Sequence, residues 1–182
     1  MNYYQIPLGN KCPSVVNCVV EIPKGTNVKY EYDIDLNVFK VDRCLISAMN
    51  YPVNYGFIPQ TIADDGDPLD VIIYSRFSFN MGSVSECKII GGLEMTEDDK
   101  MDYKMLGIPT FINSVNSMRD LKDDFLEITK DFLKNYKNVE GKKVWVGNWF
   151  NKTKAKQIIN KSIVKQCSVR NTLSPLGGSP MN

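Results

Sequence analysis

The chain has 182 residues, 43% hydrophobic and 24% charged, a balance that suits one soluble domain rather than a disordered or fibrous chain. At this length folding buries roughly 70% of the extended chain's surface, so a core needs no disulfide or metal to hold it. The formal net charge is +1, which argues against a protein that coats nucleic acid or an anionic membrane. Histidine is absent, which excludes Ser-His-Asp and Cys-His catalysis and His-ligated zinc. Acid–base chemistry is left to carboxylates, Lys, Tyr or metal-bound water.

The five cysteines (Cys12, Cys18, Cys44, Cys87, Cys167) are widely spaced without a C-x-x-C, the pattern of reduced, mostly core thiols in a cytosolic protein. The start, Met1 to Gln5, lacks the basic and apolar regions of a signal peptide. No apolar run approaches the ~18 residues of a membrane span, so the expected address is the cytoplasm.

In chain order, Val15 to Ile22 is rich in β-branched residues and ends at Pro23-Lys24-Gly25, a strand running into a turn. Lys29 to Asp33 alternates charge with tyrosine at the period of a strand. Val38 to Arg43 is a further short strand, and Asn50 to Pro59, full of turn residues and aromatics, reads as a structured loop. Leu69 to Tyr74, Val84 to Met95 and Tyr103 to Pro109 read as strands, with Gly91-Gly92 marking a bulge or close backbone approach. The period turns helical from Arg119 to Tyr136, with Leu121, Phe125, Ile128, Phe132 and Tyr136 on one stripe. Lys143 to Trp149 returns to strand alternation. Lys152 to Lys165 is a basic helix with Ala155, Ile158, Ile159 and Ile163 on its apolar face. One domain over residues 1–167 suffices, and the Ser/Pro/Gly-rich tail 168–182 is expected to be poorly ordered. Short strands followed by helices point to a small closed or curled sheet with helices packed outside.

The stretch Asp64-Asp65-Gly66-Asp67-Pro68-Leu69-Asp70 puts four carboxylates within seven residues. Gly66 and Pro68 favour a tight turn, and the apolar run after Asp70 anchors it to a strand. Packed carboxylates repel, so a fold retains them only where cations offset the charge. A rigid set of oxygen ligands suits magnesium. The downstream segment Glu94 to Lys104 is acidic too; by itself it is a solvated hairpin loop, but together with Asp65, Asp67 and Asp70 it closes a pocket for more than one divalent ion. An anionic, phosphoryl substrate follows, with Lys29, Arg43, Lys104 and Lys137 as candidate cations and Tyr55 and Tyr136 as neutral donors. The EF-hand pattern fails, since its sixth and twelfth positions hold Asp70 and Arg76. No Gly-rich phosphate loop is present.

The motifs E-I-P (Glu21 to Pro23), K-Y-E (Lys29 to Glu31), V-D-R (Val41 to Arg43), Y-P-x-N-Y-G (Tyr51 to Gly56), D-G-D-P-x-D (Asp65 to Asp70) and D-x-K (Asp102 to Lys104) occur in order, followed by Tyr136-Lys137 and Trp149. Over residues 1–165 this closely resembles the soluble, family I inorganic pyrophosphatases of bacterial length. The resemblance implies a mainly β fold with flanking helices: a five-stranded OB-like closed β-barrel plus two C-terminal α-helices. It implies homohexamers and magnesium-dependent hydrolysis of inorganic pyrophosphate, with several Mg2+ ions per site. Carried over by position, Asp65, Asp70 and Asp102 ligate metal, Asp67 is the general base for a bridging water, and Glu21 and Glu31 act through metal-bound waters. Lys29, Arg43, Tyr55, Lys104, Tyr136 and Lys137 hold the phosphates.

Three departures stand out. Glu97-Asp98 replaces the family's usual Asp-Glu; by position Glu97 is the metal ligand, while by residue type the shorter Asp98 is the alternative. Lys100 replaces a common glycine, and Asn135 and its neighbours stand where many bacterial members carry helix histidines. An OB-like nucleic-acid module is the competing reading, opposed by the acidic patch, which repels phosphate backbones.

Overall fold

The structure, a computed structural model, describes residues 1–98, 100–122, 124–140 and 144–164. Cys167 and the expected tail 168–182 lie outside the described residues. The strands are β1 (Val15–Ile22), β2 (Val28–Asp33), β3 (Val38–Cys44), β4 (Asn54–Phe57), β5 (Asp70–Ile73), β6 (Val84–Glu97), β7 (Lys100–Met101), β8 (Lys104–Pro109) and β9 (Val144–Asn151). The helices are α1 (Phe125–Asn135) and α2 (Lys152–Ser162). The protein is therefore mainly β with two helices.

Strand β1 pairs β4, β4 pairs β5, β5 pairs β8 in parallel, and β8 pairs β6, which pairs β1 again. Strands β7 and β9 add to β6, while β2 and β3 form a two-stranded sheet of their own. The register slips between Ile89 and Gly91, where the glycine pair is expected to bulge. Val16, Cys18, Val20, Val71, Ile73 and Cys87 pack with Ala155 and Ile159 of α2, while Ile22, Tyr55, Ile72 and Leu106 pack with Phe132 and Leu133 of α1. Cys18 and Cys87 are core thiols as expected, whereas Cys44 is exposed.

The expected loop over Asn50 to Pro59 instead contains strand β4, buried throughout. Its turn-like residues serve packing. A Cβ on Gly56 would come within 1.8 Å of the Val19 carbonyl oxygen, so only glycine lets β1 and β4 approach. The buried Asn54 side chain accepts from the N–H groups of Lys24 (3.1 Å) and Phe79 (2.8 Å) and donates to the Phe77 carbonyl (2.9 Å), which ties two loops together.

Helix α1 is shorter than its periodicity predicts, starting at Phe125 after a separate 3-10 turn at Met118–Asp120. Thr129, Phe132 and Leu133 are its buried residues, whereas Ile128, expected on the stripe, is 50% exposed. At 100° per residue, Ile128 lies roughly 90° round from the centre of that face. Helix α2 begins as expected, capped by Asn151, whose side chain accepts from the Lys154 N–H at 3.1 Å. It ends at Ser162, and Ile163 continues as a bridge to Thr61. No helix among the described residues is long and apolar enough to cross a membrane.

Candidate active site

The acidic turn is rigid for local reasons. Asp65 Oδ1 accepts from the Asp67 N–H at 3.0 Å, and the Ala63 N–H donates to the Asp67 carbonyl at 2.7 Å. Gly66 sits at φ +98°, a backbone conformation that any side chain strains. Past the turn, the buried Thr61 hydroxyl accepts from the Leu69 N–H at 2.9 Å and donates to the Ile58 carbonyl at 2.6 Å. Asp70 then opens β5, opposite Phe57 on one side and Lys104 on the other.

These elements open onto a cleft of about 370 Å³. Of the candidates read from sequence, Glu21, Lys29, Glu31, Tyr55, Asp65, Asp67, Asp70, Glu97, Asp102, Lys104, Tyr136 and Lys137 all line it. Arg43 does not line it: its Nε donates to Glu140 at 2.8 Å, Nη1 contacts Asp42, and Nη2 is buried without a hydrogen-bond partner among the described residues. It stands beside the cleft as the register partner of Lys29.

Lys104 is 3% exposed, and its ammonium group lies between Asp70 and Asp102. Burial works against its charge, but the two carboxylates outweigh burial and hold its pKa above the ordinary lysine value. Asp102 nevertheless titrates above the usual carboxylate range, through burial first and through repulsion from Asp70 and Asp65, despite Lys104. The two shifts differ in implication because Lys104 sees two anions and Asp102 sees one cation among several anions. Asp67 is raised as well, by burial and then by Asp65 and Asp70. Glu21 is pushed up to about 8, mainly by burial, although its Oε1 accepts the Tyr32 N–H at 2.9 Å. Tyr55 and Tyr136 are buried phenols held neutral, each raised by burial and then by carboxylates, led by Asp70 and Glu97 respectively.

Across the cleft, Lys137 contacts Glu97, and Lys29 contacts Glu31 and, at 3.2 Å, Asp42. Glu97 ends β6 opposite Lys100, and Asp98 turns outward at φ +48°, exposed. Seven carboxylates and three lysines therefore line one cleft. That excess of negative charge would turn away an anionic substrate unless cations entered with it. The donors are all hard oxygens, which suits divalent ions of the magnesium type. Among the described residues no group of three of them already surrounds a single point; lysines sit against Asp70, Asp102 and Glu97. Tyr4, Tyr30, Tyr32 and Tyr51 also line the cleft; Tyr30 and Tyr51 stand in the family motifs without an expected site role, and none is read from sequence for Tyr4 or Tyr32. The consecutive aromatics Tyr3-Tyr4 in a polar N-terminal stretch were the available signal.

Residues 18–166 match the family model described as inorganic pyrophosphatase. The inorganic pyrophosphatase of Aquifex pyrophilus is 42% identical over 169 residues, covering 90% of this chain and 96% of that protein. That of Sulfolobus acidocaldarius is 43% identical over 162 residues, covering 85% and 93%. The crystal structure of inorganic pyrophosphatase from Thermus thermophilus superposes with a TM-score of 0.86 at 35% identity, covering 90% of this chain and 97% of that one. With its family motifs gathered around one acidic cleft and its near-full-length match to these proteins, the chain belongs to the inorganic pyrophosphatase family of hydrolases.

Proposed function

We propose that the protein hydrolyses inorganic pyrophosphate to two phosphates in a magnesium-dependent reaction in this cleft. The observation that carries the reading is the cleft's lining, in which seven carboxylates and three lysines stand at the motif positions of the family. Asp65, Asp70, Asp102 and Glu97 would hold the divalent ions, with Glu21 and Glu31 acting on them through water. Bound there, the ions would neutralise substrate charge and lower the pKa of the attacking water toward neutrality.

The chain's own residues do the rest. Asp67 takes the proton of the attacking water, and its raised pKa makes it a stronger base at neutral pH than an ordinary carboxylate. Lys29, Lys104 and Lys137 bind phosphate oxygens as cations, Tyr55 and Tyr136 as neutral donors, and Arg43 through its unpartnered Nη2. The barrier lies in bringing an oxygen nucleophile in line with a phosphorus shielded by negative oxygens, so positioning and charge neutralisation supply most of the catalysis.

The ring of pairings β1-β4-β5-β8-β6 supports the closed OB-like barrel, and the single domain is proposed to run over residues 1–167. A homohexamer is supported by large apolar side chains left exposed, Ile128 at 50%, Trp145 at 55%, Phe77 at 75% and Phe111 at 67%. We assign the protein to the cytoplasm, without nucleic acid or membrane as a partner, since the acidic cleft repels both kinds of surface. The experiment is phosphate release from pyrophosphate by the purified protein. Release with magnesium and none with a chelator supports the reading; none under either condition sinks it.

A further inference from the structure

The β2–β3 hairpin carries Lys29 and Glu31 into the cleft, yet it forms a two-stranded sheet separate from the one that carries Asp70 and Lys104. Besides the Tyr32 N–H bond to Glu21 of β1 and the Arg43–Glu140 pair, a cluster of rings joins the two. Tyr4 packs edge-on against Tyr32 of the hairpin at 5.2 Å and against Phe57 of β4 at 5.1 Å. Phe57 is in turn the register partner of Asp70. Tyr3 adds contacts to Tyr32 at 5.2 Å and Phe39 at 5.0 Å. The Tyr32 hydroxyl accepts the Tyr3 N–H at 3.3 Å and donates to Asn37 Oδ1 at 2.9 Å, which binds the hairpin's tip to the same cluster. Tyr4 itself lines the cleft.

We propose that Tyr4 is a positioning residue that sets the spacing between Lys29 and Glu31 on the hairpin and the carboxylates of β5 and the acidic turn, and so governs how tightly pyrophosphate is held. The inference rests on the function proposed above. Edge-to-face contacts on two sides depend on the shape of a ring, so phenylalanine can replace Tyr4 and leucine cannot. Substrate binding suffers more than turnover, because the base and the directly metal-ligating groups sit on the main sheet and its turns, and the hairpin contributes Lys29 and only the water-mediated Glu31.

The test compares Tyr4→Leu with Tyr4→Phe. Tyr4→Leu should raise the KM for pyrophosphate roughly tenfold with kcat changed less than about threefold, and Tyr4→Phe should restore the wild-type KM. Amide hydrogen exchange should quicken in residues 28–44 of Tyr4→Leu, stay unchanged in 70–73 and 104–109, and return to normal in Tyr4→Phe. If Tyr4→Leu fails to fold, Tyr3→Leu, which strips the same hairpin of a ring farther from the cleft, is read in the same two ways. A wild-type KM in the leucine variant, or a fall in kcat with KM unmoved, overturns the proposal. If the wild type releases no phosphate, the proposed function fails, and unchanged exchange in the hairpin would refute the positioning role separately.

Discussion

Asp70 and Lys104 are register partners across the parallel β5–β8 pair, and the Lys104 ammonium group bridges Asp70 to Asp102. The lysine thus occupies the position between two carboxylates that divalent ions are proposed to neutralise. Lys104→Ala leaves two poorly solvated carboxylates facing each other, and breaking a buried pair in this way costs roughly 3–5 kcal/mol. Urea unfolding without magnesium should show a loss of that order, and millimolar magnesium should recover much of it. A loss that magnesium does not reduce would argue against ion binding by Asp70 and Asp102.

Asp67 differs from Asp70, Asp102 and Glu97 in that no lysine contact is needed to explain its place; Asp65 and the backbone hold it in the turn. Asp67→Asn should keep the fold and lower kcat by roughly 10²–10⁴-fold, the range for a lost general base. Circular dichroism with steady-state phosphate release checks both halves, and near-wild-type turnover at neutral pH refutes the assignment.

Glu97 and Asp98 are neighbours with opposite orientations: Glu97 lines the cleft against Lys137, and Asp98 is exposed at φ +48°. Glu97→Ala should therefore need several-fold more magnesium for half-maximal activity, while Asp98→Ala stays near wild type. Asp98→Gly should stabilise the hairpin by about 1 kcal/mol, because glycine relieves the left-handed conformation. A magnesium titration showing the reverse order would transfer the ligand role to Asp98.

Gly56 leaves no room for a side chain, since the nearest backbone oxygen stands 1.8 Å from where its Cβ would be. Gly56→Ala must push β1 and β4 apart, at a cost on the order of 3 kcal/mol or more. Thermal unfolding of the soluble variant measures it, and a shift below about 4 °C would mean the strands separate freely.

Assembly supplies the last prediction. The chain has no histidine to titrate near pH 6. The proposed homohexamer should therefore hold one mass by light scattering from pH 5.5 to 7.5. A monomer at micromolar concentration would contradict the assembly, and dissociation within that range would contradict its pH independence.

Strand and turn chemistry are local, and the residues speak for themselves there. Alternation at Lys29 to Asp33, the β-branched run at Val15 to Ile22 and the D-G-D-P turn each follow from side-chain period and backbone preference over a few residues. The ordered motifs were enough to reach the family. Asn50 to Pro59 misled because Asn54 and Gly56 look like turn residues when read alone. They are in fact a satisfied buried amide and a close strand approach, both decided by β1 and by the loop at Phe77 to Phe79. The pairings inside the cleft were equally hidden. Lys104 meets Asp70 across 34 residues and Lys137 meets Glu97 across 40, contacts that exist only once strand register and the end of α1 are set. Arg43 engages Glu140 rather than lining the cleft, and Tyr4 joins hairpin to sheet, for the same reason. Residue spacing determines which face a side chain takes within its own element, but which elements share a cleft is decided by long-range packing.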